Sequence, residues 1–167
     1  MAPHHKAGTS MGRSFTAQWL CELHQANLDC ARVFREACRV VDDDSVAALC
    51  EDLSSKRQHH AEELEEYLTA NESEDHASIR AVVHRAWLDL RASFASDNPK
   101  AVLAEVLRSE RRLHQGYDRA VAALAGSPVL GLIRRHMAES SNDNAHLGEL
   151  HAAFTDDAST ESEEDDI

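Results

Sequence analysis

Apolar side chains recur every three or four residues through five segments of the chain, and this spacing restricts its fold more than any other feature. The segments cover about residues 16–41, 45–68, 78–95, 99–124 and, after the break Gly126-Ser127-Pro128, the stretch to about residue 154. A repeat near 3.6 residues places such side chains on one face of an α-helix. The spacing therefore predicts an all-α protein.

Turn and cap residues separate the predicted helices. The run Asp42-Asp43-Asp44-Ser45 ends the first segment and offers N-caps to the second, and Pro99 suits the first turn of the fourth. Four segments of roughly 25 residues would each be about 37 Å long, which matches a helical bundle. The shorter segment 78–95 would carry the chain across the bundle. We therefore predict a ferritin-like four-helix bundle with an additional shorter crossover helix, and a simple up-and-down bundle is the alternative.

The negative charge of the chain is concentrated at its C-terminal end. The formal net charge is −13, and residues 155–167 contain seven acidic side chains and no Lys or Arg. We expect a flexible N-terminal tail (1–15), a helical bundle (16–154) and an acidic disordered tail (155–167). An acidic surface argues against binding to nucleic acid or to an anionic membrane. A protein partner could bind the acidic tail, and helix faces could support a homo-oligomer.

The cysteines and the apolar runs predict where the protein resides. Cys21, Cys30, Cys38 and Cys50 form no Cys-x-x-Cys pair, and no apolar run approaches the roughly 18 residues of a membrane span. The N-terminal residues lack the apolar stretch of a secretory signal. We expect reduced thiols and a cytoplasmic location.

Several stretches of the sequence have the residues of one protein family. They include Phe34-Arg35-Glu36-Ala37 in the first segment and Val83-His84-Arg85-Ala86-Trp87-Leu88-Asp89-Leu90 in the third. The second of these looks like a His-Arg-Gly-Trp-x-x-Leu segment. In these residues the chain resembles a bacterial ferritin-like family of unknown function, whose members are often named simply four-helix-bundle proteins. The resemblance covers about residues 20–154 and implies the fold, while iron chemistry would follow only by analogy.

Histidine and acidic residues provide candidate metal ligands, although not in the standard pattern. A ferritin-like di-iron site takes a Glu from each of two helices and a Glu-x-x-His pair from each of the others. This chain contains no Glu-x-x-His and has instead the reversed order His60-x-x-Glu63. A single Zn²⁺ or Fe²⁺ needs only three or four ligands. The candidates for such an iron or zinc site are Glu110, His114, His60, Asp143 and Glu63.

Polar residues also interrupt the apolar faces near the middle of several predicted helices. At about 100° per residue, the inward-facing polar residues are Asn27, Arg57, His60, Glu110, His114, His136, Ser140, Asn144 and His151. All of these except His136 and His151 are expected to share a layer at mid-height. Burying such groups is costly unless they are paired. We therefore predict a mid-core network in which Arg57 and Glu110 form an ion pair and Asn27, Ser140 and Asn144 satisfy the remaining groups. The metal site is the competing hypothesis, and a cationic Arg57 in the same layer counts against it.

These features favour a non-catalytic cytosolic bundle with a buried polar network, either stress-associated or metal-handling. One alternative is a metal-binding oxidoreductase built around Glu110 and His114. Another is an interaction module that uses the acidic tail or the basic pair His84-Arg85 of the third segment. The sequence contains no Gly-rich phosphate loop and no nucleophile elbow.

Overall fold

The computed structural model describes residues 7–71, 94 and 96–164. Four helices account for almost all of them: α1 (Ala7–Val40), α2 (Asp44–Asn71), α3 (Pro99–Ala123) and α4 (Leu130–Glu164). The described residues contain no strand, so the all-α prediction is confirmed for this part of the chain. The predicted crossover helix at 78–95, apart from Phe94, lies outside the described residues.

Side-chain caps define where α2 and α3 begin. The Asp43 carboxylate accepts a hydrogen bond from the backbone N–H of Val46 at 2.9 Å, and the Asn98 side chain accepts from the N–H of Lys100 at 3.0 Å. The first turn of a helix has N–H groups without a partner inside the helix. These caps satisfy some of them and so place both helix starts within a residue of the predicted positions. Between α3 and α4, Gly126 has a φ of 82°, a conformation that favours glycine.

The first and last helices are longer than the sequence pattern indicated. Helix α1 begins at Ala7 rather than at residue 16, and α4 continues to Glu164 rather than ending at Phe154. Residues 149–164 contain neither Gly nor Pro, so no residue in that stretch breaks the helix. The predicted boundaries at 16 and 154 are therefore not helix ends. The division into a bundle and two tails stays a prediction.

Contacts between helices show the direction in which each one runs. Asn27 of α1 contacts Tyr117 of α3, and Cys30 of α1 contacts Glu110, so residue numbers rise along α1 as they fall along α3. Helix α3 is therefore antiparallel to α1. Helix α2 follows α1 after the short connection at residues 41–43 and packs against it, so it is antiparallel to α1 as well.

Helices α2 and α3 consequently run parallel to each other. A backbone hydrogen bond of 3.1 Å from the N–H of Asp42 to the carbonyl of Asp97 places the starts of both helices at the same end of the bundle. Helix α4 follows α3 after residues 124–129 and returns antiparallel to it. The end of α2 and the start of α3 therefore lie at opposite ends of the bundle.

The core between these helices is apolar except for one group of polar side chains. All four helices contribute fully buried apolar residues, such as Phe34, Leu64, Leu103 and Ile133. Eight polar residues are buried among the described ones: His24, Asn27, Ser54, Arg57, His60, Glu110, His136 and Ser140. Several of them meet in one layer that involves every helix.

Candidate functional site: a buried polar layer

Arg57 is the centre of the polar layer. Its side chain has no exposed surface, and its guanidinium binds Glu110 of α3 through two parallel hydrogen bonds, Nε to Oε2 at 2.9 Å and Nη2 to Oε1 at 2.6 Å. Nη2 also forms an ion pair with Asp143 of α4, and Nη1 lies 3.3 Å from Nδ1 of His60. Each guanidinium nitrogen therefore has an acceptor, which is the condition for burying a cation.

Glu110 joins the four helices in one network. Besides the two bonds from Arg57, its carboxylate accepts a hydrogen bond from Ser140 Oγ at 2.7 Å and one from Cys30 Sγ at 3.3 Å. These partners come from α2, α4 and α1, while Glu110 itself is on α3. One fully buried carboxylate thus contacts side chains from every helix of the described bundle.

Burial and neighbouring charges determine the protonation of Arg57 and Cys30 in this cluster. Burial by itself would lower the pKa of Arg57, but the negative charges of Glu110 and Asp143 raise it overall, so the side chain stays cationic. Burial, together with the charge of Glu110, raises the pKa of the Cys30 thiol, which therefore stays protonated and able to donate. Asp143 has a second cationic partner because Lys56 Nζ lies 2.8 Å from it.

Two stacked histidines form the other part of the layer. The rings of His60 on α2 and His136 on α4 lie 3.9 Å apart at an angle of 11°. His60 Nε2 is 2.8 Å from Glu139 of α4, and His136 Nε2 is 2.7 Å from Glu63 of α2. Each helix thus has a His-x-x-Glu pair, and since α2 and α4 are antiparallel, each histidine meets the glutamate of the opposite helix.

The partners of His60 determine where its proton lies. A guanidinium can only donate hydrogen bonds, so Nδ1 of His60 must accept from Arg57. The proton of the neutral imidazole is therefore on Nε2, where it is donated to Glu139. This tautomer leaves Nε2 without a lone pair for a metal ion.

A second chain of hydrogen bonds determines the tautomer of His136. Asn27 Nδ2 donates to the Tyr117 hydroxyl at 2.7 Å, so the hydroxyl proton is free to be donated to His136 Nδ1, 3.5 Å away. The His136 proton is then on Nε2 and is donated to Glu63. Both histidines therefore donate a hydrogen bond from Nε2 to a partly exposed carboxylate.

Burial keeps both imidazoles neutral. It lowers the pKa of His60 to about 4, with the neighbouring His136 as the next cause, and it lowers the pKa of His136 as well. Burial would raise the pKa of Glu63, but hydrogen bonds from Arg135 and His136 lower it overall. The histidine pair is thus uncharged at neutral pH while Glu63 is ionised.

The structure does not assemble the five predicted metal ligands around one point. Glu110 and Asp143 bind Arg57, Glu63 binds His136 and Arg135, and His60 directs a protonated nitrogen at Glu139. His114 is partly exposed, and its Nε2 lies 3.8 Å from Asp118 of its own helix. Across residues 7–71, 94 and 96–164, no group of three or more His, Cys, Asp or Glu side chains could hold a metal ion. The residues present therefore do not fit the predicted iron or zinc site.

The residues predicted as a structural network mostly lie together. Arg57, Glu110 and Ser140 are bonded directly, and Asn27 binds Tyr117 in the adjacent chain of hydrogen bonds. Asn144 does not join them, since it is half-buried and its buried Oδ1 has no hydrogen-bond partner in the structure.

Sequence reasoning missed several members of the layer, among them Cys30, Tyr117 and Glu139. Glu139 was not considered, although His136-x-x-Glu139 repeats the spacing of His60-x-x-Glu63 and could have been found by that repeat. Tyr117 lies at the spacing of an apolar core position, which suits a tyrosine ring. Its hydroxyl makes it a polar residue as well.

Together the fold and the layer define a class of protein: within the described residues, four long helices share a buried polar layer. The family model described as Domain of unknown function (DUF2383) matches residues 16–123, and the chain belongs to this family. The matched range includes Arg57 and Glu110 but ends before α4 begins. No significant match to a curated protein or to a solved structure was found. None of the helices in the described part of the chain is long and apolar enough to cross a membrane.

Proposed function

We propose that the chain is a non-catalytic, cytoplasmic ferritin-like bundle in which the buried polar layer sets the alignment of the helices. The observation that carries this proposal is the complete pairing of Arg57, a fully buried cation, with Glu110 and Asp143. The parallel direction of α2 and α3 supports ferritin-like connectivity, because a simple up-and-down bundle would have these helices antiparallel.

An aligning role follows from the energetics of buried charge. A buried ion pair adds little net stability compared with apolar residues of the same volume, whereas leaving one of its charges unpaired costs about 3–5 kcal/mol. Sliding α3 by one turn against α2, about 5.4 Å, would separate Arg57 from Glu110. The layer therefore disfavours other alignments more than it stabilises this one.

The metal-binding oxidoreductase is the weaker candidate. Coordination through Nε2 of His60 would move the imidazole proton to Nδ1, where it would face a second donor on Arg57. A cation would also be added beside the existing cation Arg57. A stress-associated or metal-handling role stays a prediction.

Elemental analysis tests the proposal against the metal alternative. The full chain is purified without chelator, incubated with Fe²⁺ or Zn²⁺ and desalted. We expect less than about 0.2 metal ion per chain, since a specific site with its three or four protein ligands would approach one. A value near one that falls when His60 is replaced by Gln would overturn the aligning role in favour of a metal site.

The variant Glu110→Gln tests the alignment directly. In chelator-treated protein it should lower the unfolding free energy by about 3 kcal/mol, because it leaves part of the Arg57 charge uncompensated. Glu36→Gln is the matched control, since the Glu36–Arg39 pair lies on one exposed helix face and contributes at most about 1 kcal/mol. Equal unfolding free energies for Glu110→Gln and the unmodified chain would refute the proposal.

A further inference from the structure

Four arginines form a stripe along the outer face of α3. The stripe consists of Arg108, Arg111, Arg112 and Arg119, and all four side chains are exposed. At about 100° per residue they lie within an arc of about 100°. We call this surface the arginine stripe. It is a concentrated positive face on a chain whose net charge is −13.

Most of this positive charge is not neutralised within the bundle. Arg108 pairs with Glu105 one turn earlier. Among the residues whose side chains the structure describes (15–70, 94 and 96–156), Arg111, Arg112 and Arg119 make no ion pair. Arg32 and Arg39 of α1 differ, since each pairs with an acidic residue of its own helix. Like charges four residues apart, such as Arg108 and Arg112, destabilise a helix slightly. An anionic partner would remove that repulsion.

The chain itself contains a matching anionic segment. Residues 157–166 include six acidic side chains and no Lys or Arg. Arginine forms two parallel hydrogen bonds with a carboxylate, which gives such a pairing both strength and direction. The arginine stripe and this acidic segment are therefore chemically complementary.

In the same copy, the helix that leads into the acidic segment is directed away from the stripe as far as Glu164. Ser140 lies against Glu110, so Arg108 is level with about residue 142 of the antiparallel α4. Helix α4 then continues in the same direction to Glu164. Glu161 is 19 residues beyond residue 142, which is about 28 Å along the helix axis. The complementary segment must therefore come from another molecule.

We propose that the arginine stripe binds the acidic segment 157–166 of a second copy of this chain. Each copy offers one stripe and one acidic segment, so two copies can exchange them reciprocally in a two-fold dimer. Because the contact is electrostatic and exposed, salt weakens it. The dimer is separate from the buried layer and does not depend on its role.

Sedimentation velocity of the full chain tests the dimer. At about 0.02 M salt we expect dimers, and at about 0.3 M salt monomers, because the range of electrostatic attraction shortens severalfold. A chain that ends at Asp156 should be monomeric at both salt concentrations. Dimers of the shortened chain, or a full chain that is monomeric at low salt, would overturn the proposal.

Charge reversal on the stripe provides the matched comparison. Arg112→Glu with Arg119→Glu should weaken dimerisation at least about tenfold, a change of about 1.4 kcal/mol. Arg35→Glu with Arg39→Glu makes the same change in net charge on the exposed face of α1 and should leave dimerisation within about twofold. Thermal melting followed by circular dichroism checks that each variant is folded. Equal weakening by the two double variants would show that net charge, rather than the stripe, controls association.

Mixing two defective chains distinguishes the proposed contact from other modes of association. The chain that ends at Asp156 keeps its stripe, and the Arg112→Glu, Arg119→Glu chain keeps its acidic segment. At a concentration just sufficient for the full chain to dimerise, neither should dimerise alone, whereas the mixture should form a heterodimer through one intact contact. The absence of a heterodimer would contradict the proposal. So would binding of a labelled oligonucleotide to the stripe of a full chain that stays monomeric, because a foreign polyanion would then be the occupant.

Discussion

The two parts of the polar layer solve the same problem of burial in different ways. In the first part, the cation Arg57 is paired with the carboxylates of Glu110 and Asp143. His60 and His136 are kept neutral, because burial lowers the pKa of each ring. A guanidinium cannot lose its proton in a protein and so must be paired, while an imidazole can titrate instead. The histidine pair should therefore be sensitive to mild acid, because its rings are buried in the neutral form.

The largest effect is expected where a permanent charge loses its partner. Arg57→Met removes the cation between Glu110 and Asp143 and should lower the unfolding free energy by about 3–5 kcal/mol. Urea unfolding followed by circular dichroism measures this loss.

The double variant Arg57→Met, Glu110→Gln tests whether the loss comes from unpaired charge. Asp143 keeps Lys56 as a partner in it, so it should be less destabilised than the sum of its two single variants. Strictly additive losses would show that Arg57 and Glu110 are not energetically coupled and would contradict the comparison.

Acid should act on the histidine pair. The pKa of His60 is lowered from 6.5 to about 4 in the folded state, so between these values the unfolded chain binds a proton that the folded chain does not. The unfolding free energy therefore includes the full contribution of His60 above pH 6.5. It decreases as the pH falls towards 4, by up to about 3 kcal/mol from this residue. The lowered pKa of Glu63 adds a loss in the same direction below about pH 4.5. The urea concentration at the midpoint of unfolding, measured at pH 7, 6, 5 and 4, gives the slope of stability against pH.

Two variants at adjacent positions test whether the buried ring of His60 causes this dependence of stability on pH. His60→Gln should flatten the dependence between pH 6.5 and 4.5, because the residue no longer titrates. His59→Gln changes an exposed histidine one position earlier and should keep the original slope. If both variants had the same slope as the unmodified chain, the acid sensitivity would come from other groups.

The smallest of these effects is expected at the neutral hydrogen bond that ends the layer. Tyr117→Phe removes the hydroxyl between Asn27 and His136, while Asn27 Nδ2 keeps its bond to the Leu23 carbonyl. The loss should be about 1 kcal/mol, as is usual for a single neutral hydrogen bond. Thermal or urea unfolding at pH 7 measures it. A loss above about 3 kcal/mol would show that Tyr117 supports the charged cluster around Arg57 and does not contribute only a neutral hydrogen bond.

Much of this architecture can be predicted from local sequence because helices and caps are local structures. The 3.6-residue spacing indicated four of the helices, and the capping run at residues 42–45 together with Pro99 indicated two of their starts within about a residue. The same spacing placed Arg57, Glu110 and Ser140 on inward faces, where the structure has them. Helix ends were less accurate, because residues 149–164 contain no residue that stops a helix.

What the sequence by itself determined, then, was the helical class and the set of polar side chains that point inward. Only the tertiary structure decided how they pair. In the structure Asp143 binds Arg57 and Lys56, Glu63 binds His136, and Glu139 binds His60. His114 and Asn144 lie outside the cluster. The physical reason is that periodicity determines the direction of a side chain around its own helix axis. The partner it reaches depends on how far each helix is shifted and rotated against the others, and the packing of the whole core determines that.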